Sequence, residues 1–134
     1  MVIDSSAMVA LLQREASARS IARALDAGPL RLVSAATLVE VGIVLEGRNG
    51  ERGRVLLDRF MALHPCDVMP VDARTAEVAL DGWRRFGKGR HAAALNFGDC
   101  FAYALAKRTG QPILCVGNDF VQTDVAVVPL EGEQ

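Results

Sequence analysis

The chain begins MVIDSSAMVALL (residues 1–12): three apolar residues, an aspartate, two serines and a second apolar run. This reads as a short buried strand over residues 1–3 that hands over to a helix near Ser6, with Asp4 at the junction. Two explanations fit the aspartate. It can flank the helix N-terminus, where an acceptor oxygen and a negative charge are both favourable. It can also stand at the carboxyl end of a strand, where open parallel sheets bind their ligands.

Outward from this stretch the strand-then-helix unit recurs. Apolar or β-branched runs at 1–3, 30–34, 67–71, 112–116 and 125–130 read as strands. Helical patterns occupy 6–14, 17–27, 35–46, 51–64, 73–86 and 98–108. Breaks fall at Gly28-Pro29, Gly47-Arg48-Asn49-Gly50, Gly87-Lys88-Gly89, Gly110-Gln111-Pro112 and Gly117-Asn118. Within 73–86, Ala73, Ala76, Leu80 and Trp83 share one side of a helix, and Arg74, Glu77, Asp81 and Arg84 the other. Strands alternating with helices imply crossover connections and an α/β fold, with a central, mainly parallel sheet of four to five strands flanked by helices. At 134 residues, 51% of them hydrophobic, a single domain over 1–134 is expected.

Composition narrows the function. Fifteen basic and sixteen acidic side chains give a net charge of -1, so any affinity for a polyanion must come from a local patch. Cys66, Cys100 and Cys115 are odd in number and widely spaced, which fits neither a disulfide framework nor a CxxC zinc site and suits a reducing cytoplasm. The first apolar run has no basic segment before it and is interrupted by Asp4, so neither a secretion signal nor a membrane span is expected.

Four acids occupy suggestive places. Asp4 and Asp119 each follow a strand, Asp99 opens the helix GDCFAYALAKR (98–108), and Glu40 is the only charge in ATLVEVGIVL (36–45). Asp99 in a first helical turn and Asp119 in a turn are ordinary features, and Thr37-x-x-Glu40 matches a capping box. Capping explains each acid alone, yet it does not explain two of them at strand ends facing one crevice. Clustered carboxylates repel unless a cation holds them ionised. Mg²⁺, with Mn²⁺ as a substitute, suits such oxygen ligands and supports attack of water on a phosphodiester. The two histidines, His64 at a helix end and His91 in a glycine-flanked basic loop, signal an acid–base pair only weakly.

Between Asp81 and Asp99 there is no acid, but there are Arg84, Arg85, Lys88, Arg90 and His91, interleaved with Trp83, Phe86 and Phe97. Arg84 and Arg85 also suit a helix C-terminus. A basic loop leading into Asp99 would hold a phosphate backbone in place, with these five basic residues as its expected contacts.

The segments MVIDSSAMVALL, ATLVEV, GKGRHAAALNFGDCFAYALAK and GNDFVQTDV, in this order and spacing, resemble PIN-domain ribonucleases of the VapC toxin type. The resemblance spans essentially the whole chain. It implies a compact PIN fold with a magnesium-dependent acidic site and endonucleolytic cleavage of RNA such as tRNA or rRNA. It also implies a homodimer neutralised by a VapB-type antitoxin. Carried over by motif, the site acids are Asp4, Glu40, Asp99 and Asp119, with Asp4 and Asp99 as direct metal ligands and Asp124 competing for the fourth place. Ser5 or Ser6 would orient a carboxylate or water. A catalytically idle PIN-fold binding module is the alternative. A phospho-accepting receiver domain would need paired acids after the first strand and a lysine at a late strand end. Here Asp4 is followed by Ser5 and Ser6, and the only lysines, Lys88 and Lys107, lie outside the expected strands.

Overall fold

Four short parallel strands, β1 (Val2–Ile3), β2 (Leu32–Ser34), β3 (Asp67–Met69) and β4 (Ile113–Leu114), lie in the order β3-β2-β1-β4. The computed structural model describes residues 1–132. The strands are joined through six helices: α1 (Ser5–Leu12), α2 (Ala18–Ala27), α3 (Ala35–Asn49), α4 (Glu51–Leu63), α5 (Ala73–Phe86) and α6 (Asp99–Thr109). A 3₁₀ turn covers Phe120–Gln122.

Val2 pairs with Leu32 and Ile113, and Ile3 with Leu114. Because side chains alternate along a strand, Val2, Leu32 and Ile113 enter one core, with Ala79 of α5 and Ala102, Tyr103 and Ala106 of α6. Ile3, Val33 and Leu114 enter a second core, with Met8, Ile21, Leu25, Val41, Leu45 and Phe60 from α1–α4. Both faces of the central strands are therefore covered, which is why these strands read as continuous apolar runs. Among the described residues no helix is long and apolar enough to cross a membrane.

Three expectations need correction. The run at 125–130 contributes one parallel bridge, Ile113 to Val127, rather than a strand. Its partner β4 is only two residues long, and Pro129 has no N–H to extend the ladder. The break expected at Gly47–Gly50 narrows to Gly50, whose φ of 59° makes the turn, while α3 continues through Gly47 and Arg48. Asn49 Nδ2 donates to Leu45 O at 3.1 Å and to Gln13 Oε1 at 3.2 Å, which secures that last turn.

The third correction concerns α5. Its buried residues are Thr75, Ala79 and Gly82, whereas Leu80 and Trp83 remain 47% and 38% exposed. Gly82 lies against the ring of Tyr103, so α5 and α6 meet through small side chains that hydrophobicity patterning does not register. The stripe through Ala76, Leu80 and Trp83 instead lines an open apolar groove of about 670 Å³, together with Phe97 and Phe101.

A methyl group at Gly82 would strike the Tyr103 ring, whereas Gly47 is helical and open. Gly82→Ala should cost about 1–3 kcal/mol, as overpacking does, and Gly47→Ala should stabilise by up to about 1 kcal/mol. Urea denaturation midpoints check both; equal shifts would contradict the packing.

Candidate active site

Backbone register delivers the first acid. Asp4 N donates to Leu114 O at 3.0 Å, fixing the residue where β1 and β4 end together. Its extended backbone then starts α1, and its Oδ2 accepts from Ser6 N at 3.0 Å and Ser6 Oγ at 2.7 Å. Ser6 Oγ accepts in turn from Val116 N at 3.0 Å, so one hydroxyl ties Asp4 to the root of the loop that carries Asp119. Capping occupies one carboxylate oxygen. The other, Oδ1, is buried without a partner. Burial, helped by the charges of Asp99 and Glu40 and opposed by the two Ser6 hydrogen bonds, pushes the Asp4 pKa up to about 6.

Glu40 arrives from α3. That helix is capped by Ser34, whose hydroxyl accepts from Ala36 N at 3.3 Å, so Glu40 lies in the second turn, too deep for a capping box with Thr37. Glu40 Oε1 is also buried without a partner, as is Thr37 Oγ1. The Glu40 carboxyl group rests against Gly98, where any side chain would collide with it. The glycine next to Asp99 thus makes room for the second acid.

Asp99 has two roles at once. Asn96 N donates to Asp99 Oδ2 at 3.0 Å and Asp99 N donates to Asn96 Oδ1 at 2.9 Å, a reciprocal box that opens α6. Burial raises the Asp99 pKa, the Asn96 N–H opposes it, and the charges of Asp119 and Glu40 raise it further. Asp119 is exposed at the start of the 3₁₀ turn and makes no capping bond. Asp124 lies in a different network, accepting from Tyr103 Oη at 2.8 Å, Lys107 Nζ at 2.9 Å and Arg85 at 3.2 Å. Burial works to raise its pKa, but the hydrogen bonds from Lys107 and Tyr103 and the charges of Lys107 and Arg85 outweigh it and hold it low. The fold thus brings Asp4, Glu40 and Asp99 within electrostatic range of one another, sets Asp119 within range of Asp99, and neutralises Asp124 elsewhere.

Among the described residues none of these four acids forms a salt bridge. Nor do any three histidine, cysteine or acidic side chains form a ready-made metal cage. Two hard oxygens, Asp4 Oδ1 and Glu40 Oε1, are nevertheless left without partners inside a net negative cluster. This donor set fits an oxygen-preferring divalent cation that keeps much of its water.

The basic residues divide. Lys88 lines the apolar groove, and the Arg90 guanidinium lies 4.5 Å from the centre of the Trp83 ring that also lines it. Arg84 is exposed. Arg85 is engaged by Asp124 and, at 3.9 Å, by Asp81. His91 Nδ1 accepts from Ala93 N at 3.0 Å, and its ring stands edge-on to Phe86. Sequence reasoning left Gly98 and Thr37 out of the site. Thr37 carried a usable signal, since it lies three residues before Glu40 and so on its face of the helix.

A carboxyl pKa raised from the ordinary 3.8 to about 6 gives no penalty when the group is protonated in both states. As pH rises from about 4 through 6, the metal-free folded state should lose stability, on the order of 3 kcal/mol from Asp4. Asp4→Asn should abolish most of that loss. Thermal melts in chelator across pH 4.5–7.5 check this, and an Asp4→Asn protein melting below wild type at pH 7.5 would contradict it.

Comparison with known proteins identifies the family. The PIN domain family profile matches residues 1–126. The chain is 46% identical over 130 residues to Ribonuclease VapC30 of Mycobacterium tuberculosis, covering 97% of this chain and 99% of that one. It is 48% identical over 128 residues to Ribonuclease VapC of Mycolicibacterium smegmatis, covering 96% and 99%. Among solved structures, Mycobacterium tuberculosis VapC20, described as a sarcin-ricin loop cleaving toxin, shares the fold with a TM-score of 0.77 at 23% identity, covering 95% of this chain and 97% of that one. A toxin–antitoxin complex from Klebsiella pneumoniae contains a chain with a TM-score of 0.71 at 20% identity, covering 97% and 98%. The chain belongs to the PIN-domain family, among its VapC endoribonuclease toxins.

Proposed function

We propose that Asp4, Glu40, Asp99 and Asp119 are the catalytic acids of this endoribonuclease and that they hold Mg²⁺, with Mn²⁺ as a substitute. The observation that carries this reading is the pair of buried, unpartnered oxygens, Asp4 Oδ1 and Glu40 Oε1, in an acidic cluster with no counter-charge among the described residues. PIN-domain VapC ribonucleases are in general dependent on a divalent metal.

Asp4 and Asp99 are the direct ligands in this reading, since each has one oxygen fixed by a capping bond and the other directed away from it. When bound, the cation supplies a Lewis acid and lowers the pKa of a coordinated water. Glu40 Oε1, buried and unpartnered, would reach the cation directly or through one of its waters. Asp119 closes the open side of the cluster. Lys88 and Arg90, beside the groove that Asn96 also lines, hold the RNA backbone, with Arg84 in the last turn of α5 before them and His91 after them. Arg85, already paired with Asp124, steadies α5 against the chain after the 3₁₀ turn.

The substrate in this reading is RNA of the tRNA or rRNA class, cleaved in the cytoplasm by a homodimer. VapC20, described as cleaving the sarcin-ricin loop, and the 46–48% identical ribonucleases support RNA. A VapB-type antitoxin is the proposed inhibitor, supported by the Klebsiella pneumoniae complex and by VapBC2 of Rickettsia felis bound to promoter DNA.

Asp99→Asn keeps an acceptor oxygen for Asn96 N and so should preserve the α6 start. Cleavage should fall by more than about 100-fold, beyond the 10–100-fold typical of groups outside the ligand set. Mapping RNA 5′ ends after brief expression of both proteins checks it and names the cut. Wild-type cleavage by Asp99→Asn would overturn the assignment, and no cleavage by the wild type would favour an idle binding module.

A further inference from the structure

Every buried side-chain oxygen or nitrogen among the described residues has a hydrogen-bond partner except three: Asp4 Oδ1, Glu40 Oε1 and Thr37 Oγ1. The first two belong to the proposed cation site. The third is a neutral hydroxyl on a residue only 1% exposed.

A helical threonine has an easy remedy for such isolation, because its hydroxyl can bond a carbonyl one turn back. The chain's other three threonines all find a partner. Thr109 Oγ1 donates to Leu105 O at 2.7 Å, Thr123 Oγ1 to Phe120 O at 2.6 Å, and Thr75 Oγ1 to Asp72 Oδ1 at 2.8 Å. Thr37 alone does not. Its helix is already capped by Ser34, so Thr37 is not needed at the N-terminus either.

Its position points to the site. The pairing of Val2 with Leu32 brings the ends of β1 and β2 side by side, which sets Asp4 level with Ser34. Thr37 follows in the first turn of α3, and Glu40 lies one turn further along the same helix face. Glu40 in turn is close enough to Asp4 for its charge to raise the Asp4 pKa. A buried hydroxyl on the helix face of Glu40, itself unpartnered, calls for a partner that the chain does not supply. That partner is a group that enters with the ligand.

We infer that Thr37 is a fifth, uncharged member of this site, a positioning residue whose hydroxyl hydrogen-bonds a water carried by the divalent cation. The inference rests on the cation reading given above. A hydroxyl is suited to the place because it donates or accepts as the water requires and adds no charge to an already repulsive cluster. It acts through the water and leaves direct ligation to the carboxylates.

The test opposes two readouts. Thr37→Val keeps the shape and removes the hydroxyl, and Thr37→Ser keeps the hydroxyl. In chelator, Thr37→Val should melt at or above the wild-type temperature, because it removes an unsatisfied buried polar group. By calorimetric titration with Mn²⁺ it should bind about ten-fold more weakly, the scale of groups outside the direct ligand set. Thr37→Ser should return affinity to within about three-fold of wild type. Wild-type Mn²⁺ affinity in Thr37→Val would overturn the role of Thr37 and leave the four-acid site standing. A loss of stability in chelator equal to the loss in the presence of Mn²⁺ would show a purely structural hydroxyl and overturn it too. Failure of the wild type itself to bind Mn²⁺ would overturn the cation site along with this inference.

Discussion

The buried carboxylate of Asp4 is the constraint around which the rest is arranged. Two hydrogen bonds from Ser6 hold one of its oxygens, the backbone bond to Leu114 holds its position, and the remaining oxygen faces other acids. Burial of an ionised carboxylate is costly unless something compensates for the lost water. Here the protein supplies partial compensation on one oxygen and none on the other. The imbalance would cost the metal-free state stability near neutral pH, and the proposed cation would relieve it.

Each neighbouring element serves that imbalance. Ser6 links Asp4 to Val116, so the strand-end acid is tied to the root of the loop bearing Asp119. Gly98 lacks the side chain that would push Glu40 away from Asp99, and the Asn96–Asp99 box fixes the start of α6 without using both carboxylate oxygens. The doubly covered sheet lets three strand ends converge, while α5 and α6 pack closely enough, through Gly82 and Ala79, to hold the third acid firmly.

Most of this was legible from residue order. Parallel β1, β2 and β4 are covered on both faces and therefore appear as uninterrupted apolar runs, and glycines mark the turns. The acids were legible as a group, because strand ends and one helix start converge in any parallel sheet. What escaped reading has a common cause: contacts made by small or absent side chains. The face of α5 was assigned by hydrophobicity, yet Thr75, Ala79 and Gly82 make the contact and Leu80 and Trp83 do not. Gly98 read as the first residue of the last helix, with no sign that its missing side chain makes room for Glu40. Thr37 read as half of a capping box, because sequence spacing alone does not show that Ser34 already caps α3.

The central claim is that this acidic cluster, with its two unpartnered carboxylate oxygens, holds a divalent cation. Crystals soaked in Mn²⁺ and measured at an anomalous wavelength test it most directly. The expected result is a manganese peak at coordination distance, roughly 2.0–2.2 Å, from Asp4 Oδ1 and an oxygen of Asp99, with Glu40 and Asp119 reached directly or through water. A map with no peak among these four acids, at Mn²⁺ concentrations that support cleavage, would contradict the account.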